Sequence, residues 1–451
     1  MSDSLNNGGR RKLVIAAMIC GLAASGVVGG YAWRRWAANQ ELQRIAAAGE
    51  PITPHDLAVF TKVPDGHADA TAAWQKPIQR LASGALRPFP RNVRLLDKSG
   101  MLEPPGEAWH DYDEAKALVD RHALLYQDID AAVNTPGKCA FLDDFSSGYM
   151  TLLDHAQQLR MIQRLLIMRA YVQQRMNDTE GAYDSIWGVF KTGEALRREP
   201  FLVSQLIRLA IHRSGLEALQ HLLPHAAWTD EQLLALHNML LDLKYKRGLE
   251  RALMGERAAG LTAFADPSTA GAPQMPGIVY QAWIRDDPLQ QMTLLREFIE
   301  AASHDWPAPL ELTAKFSSQT DQPSDVQAPL GGRWEVPSGI AGDARKQVEL
   351  TAIAAARARA AAAGIAVLRF RRAEGRWPED LADLVPGWLP ALPLDPCTGS
   401  SLRFANDSEG VRVYSVGING KDDGGVETPE NLNGDLHLTG KPDVVFSAQA
   451  E

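Results

Sequence analysis

From Leu13 to Trp33 the chain runs through 21 residues without a charge, LVIAAMICGLAASGVVGGYAW. One helix of that length crosses a hydrocarbon core of ~30 Å, so the first element the pattern predicts is a transmembrane anchor. Arg10, Arg11 and Lys12 precede the run, and Arg34 and Arg35 follow it. Charge alone therefore orients it weakly, but a short basic stub translocates poorly whereas a long downstream domain crosses largely regardless of its charge. The expectation is a cytoplasmic stub over 1–12, an anchor over 13–33 in a bacterial inner membrane, and an extracytoplasmic remainder. The competing reading is a signal peptide cut near Ala23-Ala24-Ser25; Val27, Val28, Tyr31 and Trp33 extend the apolar stretch well past that point.

Ala17, Gly21, Ser25 and Gly29 recur every fourth residue, a smooth stripe along which a second helix can approach closely. This predicts a homodimer contact within the membrane; an Ala/Gly-rich anchor with no partner is the alternative.

Beyond the anchor the polarity follows a helical period. Helix is expected from Glu41 to about Ala48 and from Tyr112 to Val133, with Pro51, Pro54 and Pro64 breaking the pattern between them. Residues 84–106, rich in Pro, Gly and Arg, read as irregular connection. Over 149–223 the spacing of Leu152, Ala156, Leu159, Leu166 and Ala170 gives one buried face. Asn177-Asp178 marks a turn, a second helix follows over 181–198, and a third begins near Pro200 and stops at Pro224. Thr229 and Gln232 form a capping-box pattern ahead of a fourth helix running through Lys246. Short turns between such helices make antiparallel hairpins. A further helix is expected over 288–303, and 317–341 reads as a linker.

After the linker come an Ala- and Arg-rich helix over 348–374 closed by Gly375, a short helix starting at Trp377-Pro378, and three strands near 402–404, 411–416 and 444–446. The predicted fold class is thus mainly α: a single N-terminal transmembrane helix, an α-helical hairpin or solenoid-like domain over 34–340, and a small C-terminal α+β module over 341–451.

In the last module the order Gly375-Arg376-Trp377-Pro378, Leu394-Asp395-Pro396, Phe404, Tyr414-Ser415-Val416-Gly417-Ile418-Asn419-Gly420 and Asp443-Val444-Val445-Phe446 resembles the C-terminal half of the major pseudopilin of type II secretion systems. The likeness spans roughly a fifth of the chain. It implies a helix packed on a small antiparallel sheet and, in the loop after the Tyr-Ser strand, a calcium site. Carried onto this chain, the oxygen-bearing candidates are Asn419, Asp422, Asp423, Asp435 and Asp443, because calcium takes six to eight oxygen ligands. The departures are specific. The apolar run has no prepilin-peptidase site and no internal Glu, and Cys397 stands where the family often has an aromatic after Asp-Pro. The chain is expected to borrow the fold rather than polymerise.

Composition changes little in this picture. Forty-five per cent hydrophobic and 22% charged residues are ordinary for globular proteins. A net charge of −9, with no basic run interleaved with aromatics, argues against a nucleic-acid partner. Cys20 lies in the anchor; Cys139 and Cys397 are either bridged or free. His221 and His225 have metal-ligand spacing, but Pro224 interrupts the helix that would align them. The pairs Asp143-Asp144 and Asp286-Asp287 give no sign of a sugar cleft. Arg251, Glu256 and Arg257 read as solvated charge pairing along a helix face. No nucleophile elbow or phosphate loop appears. The expectation is a non-catalytic, membrane-anchored periplasmic scaffold that binds protein partners, linked to a secretion or envelope assembly. An envelope hydrolase acting on glycan or peptide is the alternative.

Overall fold

The computed structural model describes residues 29, 32–86, 109–266, 288–316, 337–407, 410–425 and 443–448. Nearly all of the expected anchor, the irregular connection beyond Leu86, Asp286-Asp287, most of the expected linker and Asp435 lie outside the described residues. Helical backbone over 32–47 (α1) encloses the helix expected from Glu41.

Pro54, read as a breaker, starts a helix instead. It occupies the first turn of α2 (Pro54–Thr61), where its missing N–H costs nothing. Thr53 caps that helix reciprocally with Asp56, through bonds of 3.1 and 3.0 Å. The pattern also hid α3 (Thr71–Ala82), which buries Trp74, Ile78 and Leu81 at helical spacing despite the internal Pro77. The helix expected over 112–133 is two, α4 (Tyr112–Arg121) and α5 (Ala123–Asn134). They part at His122, whose imidazole lies 2.9 Å from the Leu118 carbonyl and 3.0 Å from that of Ala85.

The predicted helical block is α6 (Asp154–Arg175), α7 (Thr179–Ala195) and α8 (Leu202–Leu222). Ala156, Leu159, Leu166 and Ala170 are fully buried, but Leu152 is 75% exposed because it precedes the helix. Asp178 caps α7 by accepting from the Gly181 amide at 3.0 Å. The capping box at Thr229 opens α9 (Asp230–Leu241), as expected. That helix stops short of Lys246: Lys244 adopts φ +30°, and a new helix, α10 (Tyr245–Ala265), begins after it. The predicted helix over 288–303 is α11 (Pro288–Ser303), followed by α12 (Ala308–Ala314).

α13 (Pro337–Glu374) is the longest helix described and begins inside the expected linker. Ala344–Glu374 holds a stretch long and apolar enough to span a membrane, of mean hydropathy 1.4, yet 72% of that stretch is buried within the fold. Alanines at 352, 356, 358 and 360–363 leave its surface so shallow that α8, α9 and the sheet all pack closely upon it. Its arginines reach out of this core to acceptors: Arg359 to the Leu394 carbonyl at 2.6 Å, Arg372 to that of Trp228 at 2.7 Å.

Trp377-Pro378 does not start a helix. A single 3-10 turn, Leu381–Leu384, begins three residues later at the Asp380 cap. Three antiparallel strands, β1 (Arg403–Asp407), β2 (Gly410–Ser415) and β3 (Val444–Ala448), then form a sheet in that order. Val413 pairs with Phe404 on one side and Phe446 on the other. Val411, Val413 and Phe446 face α13 and belong to one apolar cluster that reaches back through α6–α9 to Trp74 and Ala70. The protein is therefore mainly helical with a small C-terminal antiparallel sheet, and helices and sheet share a core. Within that core α7 packs on α6 and α8, whereas the chief partner of α9 is α13.

Candidate functional site

α10 carries the charges that the helical spacing assigns to solvent, and none of the three is used that way. Arg257 is 1% exposed and forms an ion pair with Glu50. Glu256 accepts from the Leu202 amide at 2.9 Å, capping the otherwise uncapped N-terminus of α8. Arg251 stacks on the Phe60 ring at 3.9 Å and donates to the Phe60 carbonyl at 2.8 Å, closing the C-terminal end of α2. Burial pushes the Arg251 guanidinium down to about 10, helped by Arg198 and opposed by Glu199. α10 is internal because α2, α8, α11 and α13 all pack against it.

Where α1 docks on α10 and α11, a cavity of about 250 Å³ opens. Glu41 and Ile45, both buried, press α1 into place. Glu41 accepts from Arg296 at 3.2 Å and from Arg44 at 3.5 Å, and Arg44 reaches Glu300 at 3.6 Å across the rim. Arg257 with Glu50 forms the deep charged pair, and Ile45, Ala48, Met254 and Ile299 supply an apolar wall. The fourth lining carboxylate, Glu250, is raised above the ordinary range by burial, against the pull of Lys246 and Arg247. The Nε–H groups of Arg257 and Arg296 are buried and meet no acceptor among the described residues. Chemically the cavity offers three arginines and four glutamates, of which Glu250 lies outside the ion pairs named above, beside an aliphatic surface.

The residues expected to hold calcium are placed around one turn after β2, so far as they are described. Asp443 is buried, and its Oδ2 accepts from the amides of Asp423 at 3.0 Å and Gly425 at 2.8 Å. Its Oδ1 is buried with no partner among the described residues, and burial together with Asp423 and Asp422 raises its carboxyl above the usual range. Asp422 Oδ1 accepts from the Tyr414 hydroxyl at 3.0 Å and the Gly424 amide at 3.1 Å. Asn419 turns back on the Lys421 amide at 3.0 Å. Among the described residues no three His, Cys, Asp or Glu side chains converge.

The sequence pieces Leu394-Asp395-Pro396 and Tyr414-Ser415 are one contact in space. Asp395, also buried, accepts from the Ser415 hydroxyl and the Cys397 amide, each at 2.8 Å, and so pins the turn to the end of β2.

The remaining candidates are structural. Cys139 and Cys397 are not bridged to each other, and burial pushes both thiols up to about 12, far from thiolate formation near neutral pH. His221 lies 2.8 Å from the Tyr171 hydroxyl, and His225 is exposed on a 3-10 turn, so the two rings serve no common metal. Asp144 accepts from the Ser146 amide at 2.8 Å in a local turn. Glu199 lies between His155 Nε2 at 3.2 Å and the fully buried Ser204 hydroxyl at 3.3 Å, so the serine donates to a carboxylate and not to an imidazole base. A second buried network joins Arg208 to Glu194 at 2.6 Å and His212 to Tyr245 at 3.0 Å. Each of these links bridges separate elements, which is why sequence reading missed them.

No known protein family, no curated protein and no solved structure matches the chain.

Proposed function

We propose that this is a single-pass membrane protein with its bulk outside the cytoplasm, a non-catalytic scaffold that binds protein partners in an envelope or secretion assembly. The observation that carries the reading is the start of α1. Trp33 and Trp36, at the end of the uncharged run and flanking Arg34-Arg35, are 62% and 60% exposed. Exposed tryptophans beside arginines at the end of an apolar segment suit the lipid headgroup layer. Further along the same helix, buried Ile45 fixes α1 to the body, which supports a stiff helical connection on the body's side of the anchor.

The α6–α7 hairpin and its packing on α8 support a helical-hairpin body as the binding scaffold. Leu152, Leu124 and Leu394, all exposed, supply apolar contact points on its surface. The same reading includes a homodimer along Ala17, Gly21, Ser25 and Gly29; of these only Gly29 lies among the described residues, and a Cβ added there would meet none of them within 4 Å. It also includes calcium in the turn after β2, supported by the Asp443 Oδ1 that lacks a partner among the described residues.

Site-specific photocrosslinking in intact membranes tests the scaffold. With crosslinkers at Leu152 and Leu394 of the full chain, the expected result is a discrete adduct with another envelope protein that Leu→Arg changes nearby abolish. Adducts with lipid or detergent alone contradict it. Disulfide crosslinking through Cys20 tests the dimer, and a solely monomeric product under conditions where a known membrane dimer crosslinks rejects it.

A further inference from the structure

We propose that β1 is a self-association edge: the same strand of a second copy of this chain pairs antiparallel with it about Ala405, joining two three-stranded sheets into one.

Strand alternation decides which backbone groups β1 offers. Asp407 and Gly410 close the β1–β2 hairpin and exchange hydrogen bonds, so Ala405 and Arg403 also aim their amides and carbonyls at β2, while Phe404 and Asn406 aim theirs away. Two neighbours fix that direction. The Leu402 amide, next in the outward set, leaves the sheet for the Pro393 carbonyl at 2.9 Å. On the far edge the outward amide of Ser447 meets the Gln220 side chain of α8 at 3.4 Å. β1 is the other outer strand, and past Leu402 its outward groups meet no backbone partner among the described residues. Asn406 is exposed, and Phe404 and Ala405 are half-buried. An edge left in this state is a template for another strand.

Side-chain charge selects the second copy as that strand. Arg403 stands at one end of β1 and Asp407 at the other, with Ala405 between them on the same face of the sheet. Laid antiparallel about Ala405, a second β1 sets its Asp407 opposite Arg403 and its Arg403 opposite Asp407; laid parallel in register, it sets like charges side by side. The outward backbone groups match in that same register, Phe404 against Asn406 and Asn406 against Phe404, and two alanines meet on the two-fold axis. The contact is isologous, each copy giving what it receives. Arg403 is 54% exposed, makes no side-chain hydrogen bond among the described residues and lies 3.6 Å from Asp422, so its donors remain open to a carboxylate. Asp407 binds Arg412 of its own chain at 2.6 Å yet stays 45% exposed, and one carboxylate accommodates two guanidiniums.

Five residues a side make a weak contact, so the test is one that traps it. Opposed residues of a non-hydrogen-bonded antiparallel pair have Cα atoms about 4.5 Å apart, within the reach of a disulfide. In the full-length chain in detergent, with Cys20→Ala to silence the anchor, Ala405→Cys is expected to give a disulfide-linked dimer as its main product under mild oxidation. Arg403→Cys or Asp407→Cys alone is expected to give several-fold less, and the two mixed before oxidation to restore it. Adding Arg403→Asp to Ala405→Cys is expected to lower the yield several-fold. The proposal is overturned if position 405 stays monomeric while its thiol reacts with a maleimide, or if Arg403→Asp leaves the yield unchanged. It is also overturned if the three single cysteine variants link alike, as chance collision or a dimer of the membrane stripe alone would give. Should a variant unfold, amide hydrogen exchange on the parent chain decides: exchange at Phe404 and Asn406 is expected to slow as protein concentration rises. Exchange that is fast at every concentration, or slow at every concentration because the chain's own residues cover the edge, overturns the proposal.

Discussion

Arg369 on α13 grips Asp230, in the first turn of α9, through two parallel bonds: Nε to Oδ1 at 2.7 Å and Nη2 to Oδ2 at 2.8 Å. Two turns further along α9, His237 Nδ1 lies 2.8 Å from the Ala362 carbonyl. Both contacts tie the C-terminal region to one helix more than a hundred residues earlier, and α13 fills the centre of the shared core. A chain ending near Ala341 is therefore expected to lose cooperative folding, seen as rapid proteolysis and loss of a urea transition. Arg369→Met is milder, because Asp230 remains 57% exposed and water screens the pair. About 1 kcal/mol is expected, read from the urea midpoint. A stable, cooperatively unfolding truncation would refute the shared core.

Gly364 lets α13 approach the sheet. A methyl group there would run into the buried Phe446 ring, which has nowhere to turn. Glycine-to-alanine within a helix ordinarily gains about 1 kcal/mol, whereas overpacking a core costs about 1–3 kcal/mol. Gly364→Ala is expected to be net destabilising, by up to about 2 kcal/mol in urea unfolding. A stabilised variant would mean that the α13–sheet contact is looser than described.

Acid should weaken the fold through His212. Burial pushes its imidazole down from 6.5 to about 4, with Arg208 adding to the shift and Glu194 and the Phe190 carbonyl opposing it. The unfolded chain takes up this proton below pH 6.5, and the folded chain only near pH 4. Stability contributed by the neutral ring is thus complete above pH 6.5 and falls between 6.5 and 4, by up to about 3 kcal/mol. Glu194 acts in the same sense at lower pH. Burial raises its carboxyl, but Arg208, His212 and Arg197 outweigh that and hold it below 4.5, so its contribution is lost as pH falls through the depressed value. Urea midpoints measured from pH 7 to 4 should decline, and His212→Gln should flatten the upper part of the decline. An unchanged slope in that variant would assign the effect elsewhere.

What could be read from the chain was local. Thr229 with Gln232, Asn177-Asp178, the helix over 288–303 and Gly375 as a helix stop all act within a few residues of themselves, and the structure places each where the pattern does. Arg251, Glu256 and Arg257 could not be read in the same way. Their partners, the Phe60 carbonyl, the Leu202 amide and Glu50, lie 191, 54 and 207 positions away. A period-3.6 pattern says which side of a helix is polar; it does not say that a second helix will cover that side. The cavity escapes for the same reason, since α1, α10 and α11 meet only in space. Pro54 misled in the other direction, because a proline that ends one helix is equally suited to begin the next.

Calcium is expected to raise the melting temperature of the intact protein by several degrees at millimolar concentration, as a ligand of the folded state does. Asp443→Asn should abolish the shift, since Oδ1 of Asp443 is the buried oxygen left without a partner among the described residues. Magnesium, which demands tighter octahedral geometry, serves as the control ion. No response to calcium, alongside a calcium-binding protein that does respond, would remove the metal from the account.

The central claim is that the apolar run holds the chain in the bilayer with its body outside the cytoplasm. Protease added to spheroplasts, followed by an alkaline carbonate wash of the membranes, measures both parts at once. The account predicts that the untreated chain stays in the washed membrane pellet and that external protease removes the body. A chain released by the wash, or a pelleted chain whose body is cut only after the cells are lysed, would contradict it.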